Sequence, residues 1–350
     1  PTAWIVSAAA VVFVLLGTGA VFAGVAVASN ETPVAATATP TPEPPRPVPD
    51  AELVASRLRT CTIAPLAADP RLMSFAGHVV RADTGEVLFD RNGTTPARTA
   101  SVLKVLTAAA ALEVLGPDFQ ISTSVVAGGT PGSIVLVGRG DATLSALPAG
   151  QESFYPGAPK LQTLAEATIA SYRAKYPDTP ISRIVLDATY WNPADGWGSG
   201  WDRAELSSGT VSGVTALQVD GDRADPRAAT SARSEDPIAR AGAAFIDALR
   251  AADADGEVVD AEVSTVSGSA VGTSVLAEVK SQPIRAWISQ MLATGDNTLA
   301  EMLARIVSRE ADMGGTAASL QQAIPGALLT WDVPSAGLVI RDGSGLSAEN

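Results

Sequence analysis

In 350 residues there is one cysteine, Cys61, and one histidine, His78. A lone thiol excludes an intramolecular disulfide, and one His with one Cys cannot assemble a zinc site, so neither a metal nor a cofactor is expected. The same scarcity prunes nucleophilic catalysis. A Ser-His-Asp triad needs a histidine, and His78 lies in the strand-like Phe75–Arg81 with no nucleophile, base or orienting acid to be argued beside it. It reads as a packed or solvent-facing strand residue, so a serine enzyme built on this chain takes its base from another residue type. Positive charge is also short. Against 37 acidic residues stand 24 basic ones, a net of -13, and that field repels phosphate backbones, which argues against a nucleic-acid partner. Only four of those 24 are lysines, Lys104, Lys160, Lys175 and Lys280, which makes each of them informative.

Charge is missing altogether from Ala3 to Asn30, and Trp4 to Ala28 is almost wholly apolar. That exceeds the roughly 20 residues a helix needs to cross a bilayer, so residues 1–30 read as a transmembrane anchor or a secretory signal. The length favours an uncleaved anchor, while Ala26-Val27-Ala28 supplies a small-x-small cleavage pattern and leaves secretion after cleavage near Ala28 open. Residues 31–50 hold seven prolines among Thr, Ala and a few charges, the composition of a semi-rigid linker. A membrane segment, a stalk and a disulfide-free remainder place the folded part outside the cytoplasm. Cys61 follows Arg57 and Arg59 rather than the apolar run, which argues against lipid attachment and for a structural thiol.

Ala51 to Leu58 reads as a short helix. Phe75–Arg81 and Glu86–Asp90 alternate apolar and polar residues around Asp83-Thr84-Gly85, a hairpin pattern. Ser101 to Leu115 is an apolar helix ended by Gly116 and Pro117, too greasy for a surface position. Ser101 opens it and Lys104 follows three residues later, which puts both side chains on one face. A serine hydroxyl is a poor nucleophile until a base takes its proton, and a lysine serves once apolar walls lower its pKa. The helix N-terminus adds positive potential and backbone N–H groups for an oxyanion. Alone, Ser-x-x-Lys is a weak signal, and an N-cap serine with a snorkelling lysine competes with the catalytic reading.

Two further segments sharpen it: Trp287 to Arg305, an amphipathic helical stretch interrupted by Gly295-Asp296-Asn297, and Val339 to Asn350, a strand running into a Gly/Ser turn. With Ser101-Val-Leu-Lys104, Asp83 to Leu88 and Val137 to Leu144, these resemble the D-alanyl-D-alanine carboxypeptidase/endopeptidase family of low-molecular-mass class C penicillin-binding proteins. The resemblance covers most of residues 52 to 350. It implies an α/β (α+β) fold, a penicillin-binding-protein/serine β-lactamase-like catalytic domain with a large inserted domain. Asn297 lies 193 positions after Lys104 (297 minus 104), a segment longer than compact β-lactamases carry. The expected layout is catalytic residues 51–121, an insertion at 122–282 with strands near Ile134–Val137, Ile184–Asp187 and Thr215–Val219 and a helix at Asp236–Leu249, then catalytic residues 283–350.

The resemblance makes Ser101 the acylated nucleophile, Lys104 its general base and Asn297 a ligand of the substrate amide. It implies peptidoglycan stem peptides as substrate and β-lactams as covalent inhibitors. It also calls for a hydroxyl at the position of Gly295, where Thr294 is the nearest substitute, and for a Lys-Thr-Gly strand, which these residues do not contain, so truncation at the C-terminus is expected. Asp296 and Glu301, five apart, read as solvated or helix-N-terminal charges. Gly138-Arg139-Gly140 reads as a turn, and Trp191, Trp197 and Trp201 as packing of the inserted domain. Rival readings are a catalytically impaired peptidoglycan- or penicillin-binding protein on the same fold, a β-lactamase, and a stalked adhesin. Carboxypeptidase-versus-endopeptidase preference and oligomeric state are not legible.

Overall fold

The computed structural model describes residues 64–271 and 274–350. The expected anchor or signal, the linker, the helix at Ala51–Leu58 and Cys61 lie outside the described residues. Among those described, no helix is long and apolar enough to cross a membrane. The chain divides into two compact units, residues 1–93 and 94–350.

The first unit contains the short helix α1 (Ala64–Ala67) and a hairpin of β1 (Gly77–Val80) with β2 (Val87–Arg91). Its turn is the expected Asp83-Thr84-Gly85, closed by Arg81 N–H on the Glu86 carbonyl at 2.8 Å. His78 faces Asp90 across the pair with 3.3 Å between Nδ1 and Oδ1, both exposed, which fits the plain strand reading.

The second unit holds a five-stranded sheet in the order β6-β5-β4-β3-β7, formed by β3 (Ser122–Ala127), β4 (Ser133–Val137), β5 (Ile181–Asp187), β6 (Val259–Ser267) and β7 (Val275–Lys280). β3 pairs antiparallel with β4 and β7, whereas β4–β5 and β5–β6 are parallel. Central β4, Ser-Ile-Val-Leu-Val, is buried at every position, as a strand covered on both faces must be. Helices α3 (Leu161–Lys175) and α5 (Pro237–Ala252) pack on one another and against the sheet. Asp236 caps α5 by accepting from Ala239 N–H at 2.9 Å. A short helix α4 (Ala204–Ser208) follows the tryptophan loop.

The expected strand at Thr215–Val219 is not formed. These residues are a buried loop laid along the Gly138–Leu144 turn. Gly140 N–H meets the Ala216 carbonyl at 2.8 Å and Asp220 N–H the Leu144 carbonyl at 2.7 Å, bonds too scattered for a ladder. Ala216, Leu217 and Val219 mark burial, and a buried loop carries such residues as a strand does.

The remaining helices are α2 (Leu103–Leu115), α6 (Ile284–Thr294), α7 (Asn297–Glu310) and α8 (Leu320–Leu328). α2 packs against α6, α7 and α8. Its buried residues, Leu103, Lys104, Thr107, Ala108, Ala110 and Ala111, form one stripe, and the alanines let α7 approach closely. Val102 and Val105 stay exposed, so α2 is buried on one side rather than all round. α7 is enclosed from Thr298 to Ser308.

Candidate active site

A 3-10 turn, Ala100–Val102, feeds α2 and carries Ser101 at an exposed position. Ala100 adopts φ +44°, a left-handed conformation that costs a residue with Cβ about 1–2 kcal/mol. Its carbonyl presses on Gly345, whose missing side chain is required, because a Cβ there would lie 1.8 Å from the Ala100 oxygen. Lys104, one turn on, is 1% exposed. Its Nζ donates to Ser101 Oγ at 3.1 Å and to the Ser344 carbonyl at 2.9 Å. Burial pushes the Lys104 ammonium below the ordinary lysine range, against the charges of Glu301, Asp296 and Asp342, which pull it up. The pair expected from the three-residue spacing is therefore assembled, with the lysine desolvated.

The Ser344 carbonyl belongs to the Gly/Ser turn expected within Val339–Asn350; the strand expected to run into it does not form, and the N–H groups of Ile340, Arg341 and Asp342 go instead to the side-chain oxygens of Gln321 and Asn350. Gly343 and Ser344 N–H donate to Glu301 at 3.0 and 2.8 Å. Asp342 accepts from Gly345 N–H at 2.8 Å, Ser347 N–H at 2.6 Å and Trp201 Nε1 at 2.8 Å. Glu301 is 1% exposed, so its reading as a solvated charge is corrected. Burial, reinforced by the Asp342 charge, pushes its carboxyl up to about 7 against hydrogen bonds from Ser344 and Gly343 and the charge of Arg305.

Gly295 closes α6 in the left-handed region at φ +70°, and Asp296 caps α7 through Leu299 N–H at 3.0 Å. Asp296 fits its helix-terminal reading but is also buried, accepting from Tyr155 Oη at 3.1 Å and Arg223 Nη2 at 2.8 Å. Asn297 is half-buried, donates to the Thr210 carbonyl at 3.2 Å, and lines a cavity of about 180 Å³ with Thr210, Arg223, Arg233, Gly295 and Asp296. It bonds to neither Ser101 nor Lys104. The proximity of its motif to Lys104 shows instead through the Asp296 charge. Nothing lies within 4 Å of a Cβ built on Gly295. The Thr294 hydroxyl is committed to the Gln290 carbonyl at 2.7 Å, so it does not replace the absent one.

Sequence reasoning missed Glu301, Arg223 and Tyr155, whose partners are remote in the chain. Trp191 and Trp201 are buried packing residues as expected, and Trp201 also holds Asp342. Among the described residues no group of three or more His, Cys, Asp or Glu side chains is arranged to hold a metal ion.

The model of the D-Ala-D-Ala carboxypeptidase 3 (S13) family matches residues 60–231 and 211–350. The chain is 35% identical over 293 residues to a carboxypeptidase of Mycobacterium tuberculosis, covering 83% of this chain and 60% of that protein. It is 30% identical over 342 residues to a D-alanyl-D-alanine carboxypeptidase of an Actinomadura species, covering 81% and 63%. It thus spans about 60% of the length of the curated relatives it matches. Its mixed α/β fold is shared with penicillin binding protein 4 of Haemophilus influenzae, at a TM-score of 0.59 and 19% identity over 79% of this chain and 72% of that one. A second structure of that protein, complexed with a β-lactam, aligns at a TM-score of 0.55 with 18% identity over 79% and 71%. The family match runs through Ser101 and Lys104 in its first segment and through Asn297, Glu301 and Ser344 in its second, and the chain belongs to the D-Ala-D-Ala carboxypeptidase 3 (S13) family.

Proposed function

We propose that this chain carries the acylation machinery of a serine-type D-Ala-D-Ala carboxypeptidase/endopeptidase acting on peptidoglycan stem peptides. The observation that carries the reading is the buried Lys104 amine 3.1 Å from the Ser101 hydroxyl. Neutral Lys104 takes the Oγ proton as Ser101 attacks the carbonyl of the penultimate D-alanine. The positive end of α2, which Ser101 precedes, stabilises the developing oxyanion, and Asn297 holds the substrate amide. Protonation of the departing amine releases D-alanine and leaves an ester on Ser101, which water hydrolyses. A β-lactam is attacked in the same way, but its ring nitrogen stays tethered to the acyl group.

The proposed organisation keeps residues 51–121 and 283–350 as the catalytic part and 122–282 as an insertion, supported by the five strands of the larger sheet all falling between Ser122 and Lys280. The protein works outside the cytoplasm, held by residues 1–30 or secreted after cleavage near Ala28. A second reading, a penicillin-binding protein with little turnover, draws on Gly295 and the committed Thr294 hydroxyl. Incubating the full-length protein and its Ser101→Ala variant with a D-Ala-D-Ala peptide decides. D-Alanine release lost in the variant supports the enzyme, whereas no release with intact β-lactam acylation supports the binder.

A further inference from the structure

Glu301 performs no step in the reaction just described, yet its carboxylate is buried against the turn that receives Lys104. The peptide unit joining Gly343 and Ser344 is held at both poles. Its carbonyl accepts from Thr107 Oγ1 at 2.7 Å, and its N–H donates to Glu301 at 2.8 Å. Gly343 N–H donates to the same carboxylate at 3.0 Å. The next carbonyl, of Ser344, takes the Lys104 N–H at 2.9 Å. A neutral lysine has two N–H donors and one lone pair. With one N–H bound to Ser344, the lone pair is free to face the Ser101 hydroxyl, the orientation a general base needs.

We propose that Glu301 is a positioning residue for Lys104: by accepting the N–H groups of Gly343 and Ser344 it aims the Ser344 carbonyl, and through it the Lys104 amine, at Ser101. This rests on the reading of Lys104 as the base. Simple charge neutralisation on α7 does not account for Glu301, because Arg305, one turn along, is committed to Asp195 at 2.5 Å and to the Gly315 carbonyl at 2.9 Å. The groups facing Lys104 are Glu301 and Asp296 at α7 and Asp342 in the turn, and those facing Glu301 are Asp342 and Arg305.

The test compares full-length wild type with Glu301→Gln, in which the charge is gone and one of the two acceptor oxygens facing these N–H groups becomes a donor. Benzylpenicillin acylation is followed against pH, and the ¹³Cε resonance of Lys104, identified with Lys104→Arg, is titrated in parallel. The expected result is a plateau acylation rate about 10- to 100-fold lower with unchanged prior affinity, since misplacement of a reacting group costs rate on that scale. The lysine limb and the Lys104 resonance both move to lower pH, because a negative neighbour has gone. Wild-type rate and titration in the variant overturn the proposal. If wild type itself is not acylated, the reading of Ser101 fails, and the Lys104 titration still decides whether Glu301 governs the lysine. Should Glu301→Gln not fold, Glu301→Asp keeps the charge but draws it back by one methylene. Wild-type rate and Lys104 shift in that variant overturn the proposal equally.

Discussion

Trp201 donates its indole N–H to Asp342 at 2.8 Å, joining positions 141 residues apart. Asp342 in turn organises the turn that carries Ser344, so a loop remote in sequence steadies the carbonyl that receives Lys104. Trp201→Phe keeps an aromatic ring beside Trp197 but removes the donor together with the pyrrole half of the buried indole, so a packing loss adds to the lost hydrogen bond. A lost hydrogen bond to a charged group costs about 1.5–3 kcal/mol. The expected outcome is a lower denaturant midpoint together with slower acylation, read by urea unfolding and a β-lactam time course.

Arg223 and Asp296 form a buried ion pair, 2% and 3% exposed at their side chains, beside the Tyr155 hydroxyl. Arg223→Met leaves Asp296 buried without its cation and is expected to destabilise by about 3–5 kcal/mol. Adding Asp296→Asn recovers part of that loss, because the uncompensated charge is gone. Thermal unfolding of the two single variants and the double variant measures the coupling.

Gly295→Ser restores the hydroxyl that the family resemblance calls for. Space is open around its Cβ, so the cost is confined to the left-handed backbone, about 1–2 kcal/mol relative to glycine. Proton transfer by a placed group is worth about 10²–10⁴-fold, and the variant is expected to release D-alanine at least about tenfold faster than wild type while melting slightly lower. Unchanged turnover removes proton relay at position 295 from the mechanism.

Glu301 and Asp141 are both buried carboxyls with raised pKa values, about 7 and about 6 against ordinary values of 4.5 and 3.8. In each case the folded state holds a proton that the unfolded chain has already lost. Stability therefore falls as pH rises from each unfolded value through the folded one and levels off above it. Glu301→Gln removes one of these contributions. Its melting temperature is expected to gain on wild type between pH 5 and pH 8, whatever the offset from its altered hydrogen bonds. A constant difference across that range contradicts the assignment.

The Ser101–Lys104 pair was legible because helical spacing alone brings positions three apart together, and the interruption at Gly295-Asp296-Asn297 was legible because glycine and aspartate break an otherwise amphipathic helical stretch. Glu301 was not. Its separation from Asp296 does send the two to different sides of α7, but α7 is enclosed from Thr298 to Ser308, so neither side is wet. Its hydrogen-bonding partners lie some 42 residues on, beyond any local pattern. Likewise Thr215-Ala-Leu-Gln-Val219 reads as a strand and has the backbone of a loop. β6 was missed because its Val-Asp-Ala-Glu-Val-Ser-Thr-Val-Ser is mostly exposed and lacks the apolar run that marks β4 and β5.

The account stands on Ser101 being acylated, and peptide mapping tests that most directly. Trypsin cuts after Arg98 and Lys104, releasing Thr99-Ala-Ser-Val-Leu-Lys104 with Ser101 as its one serine. After the full-length protein is treated with benzylpenicillin and quenched, the predicted result is that this peptide alone carries the penicilloyl mass and that Lys104→Gln, followed by intact mass because it lacks the tryptic site at 104, is acylated more slowly. An adduct on another peptide, or none at all on folded protein, contradicts the account.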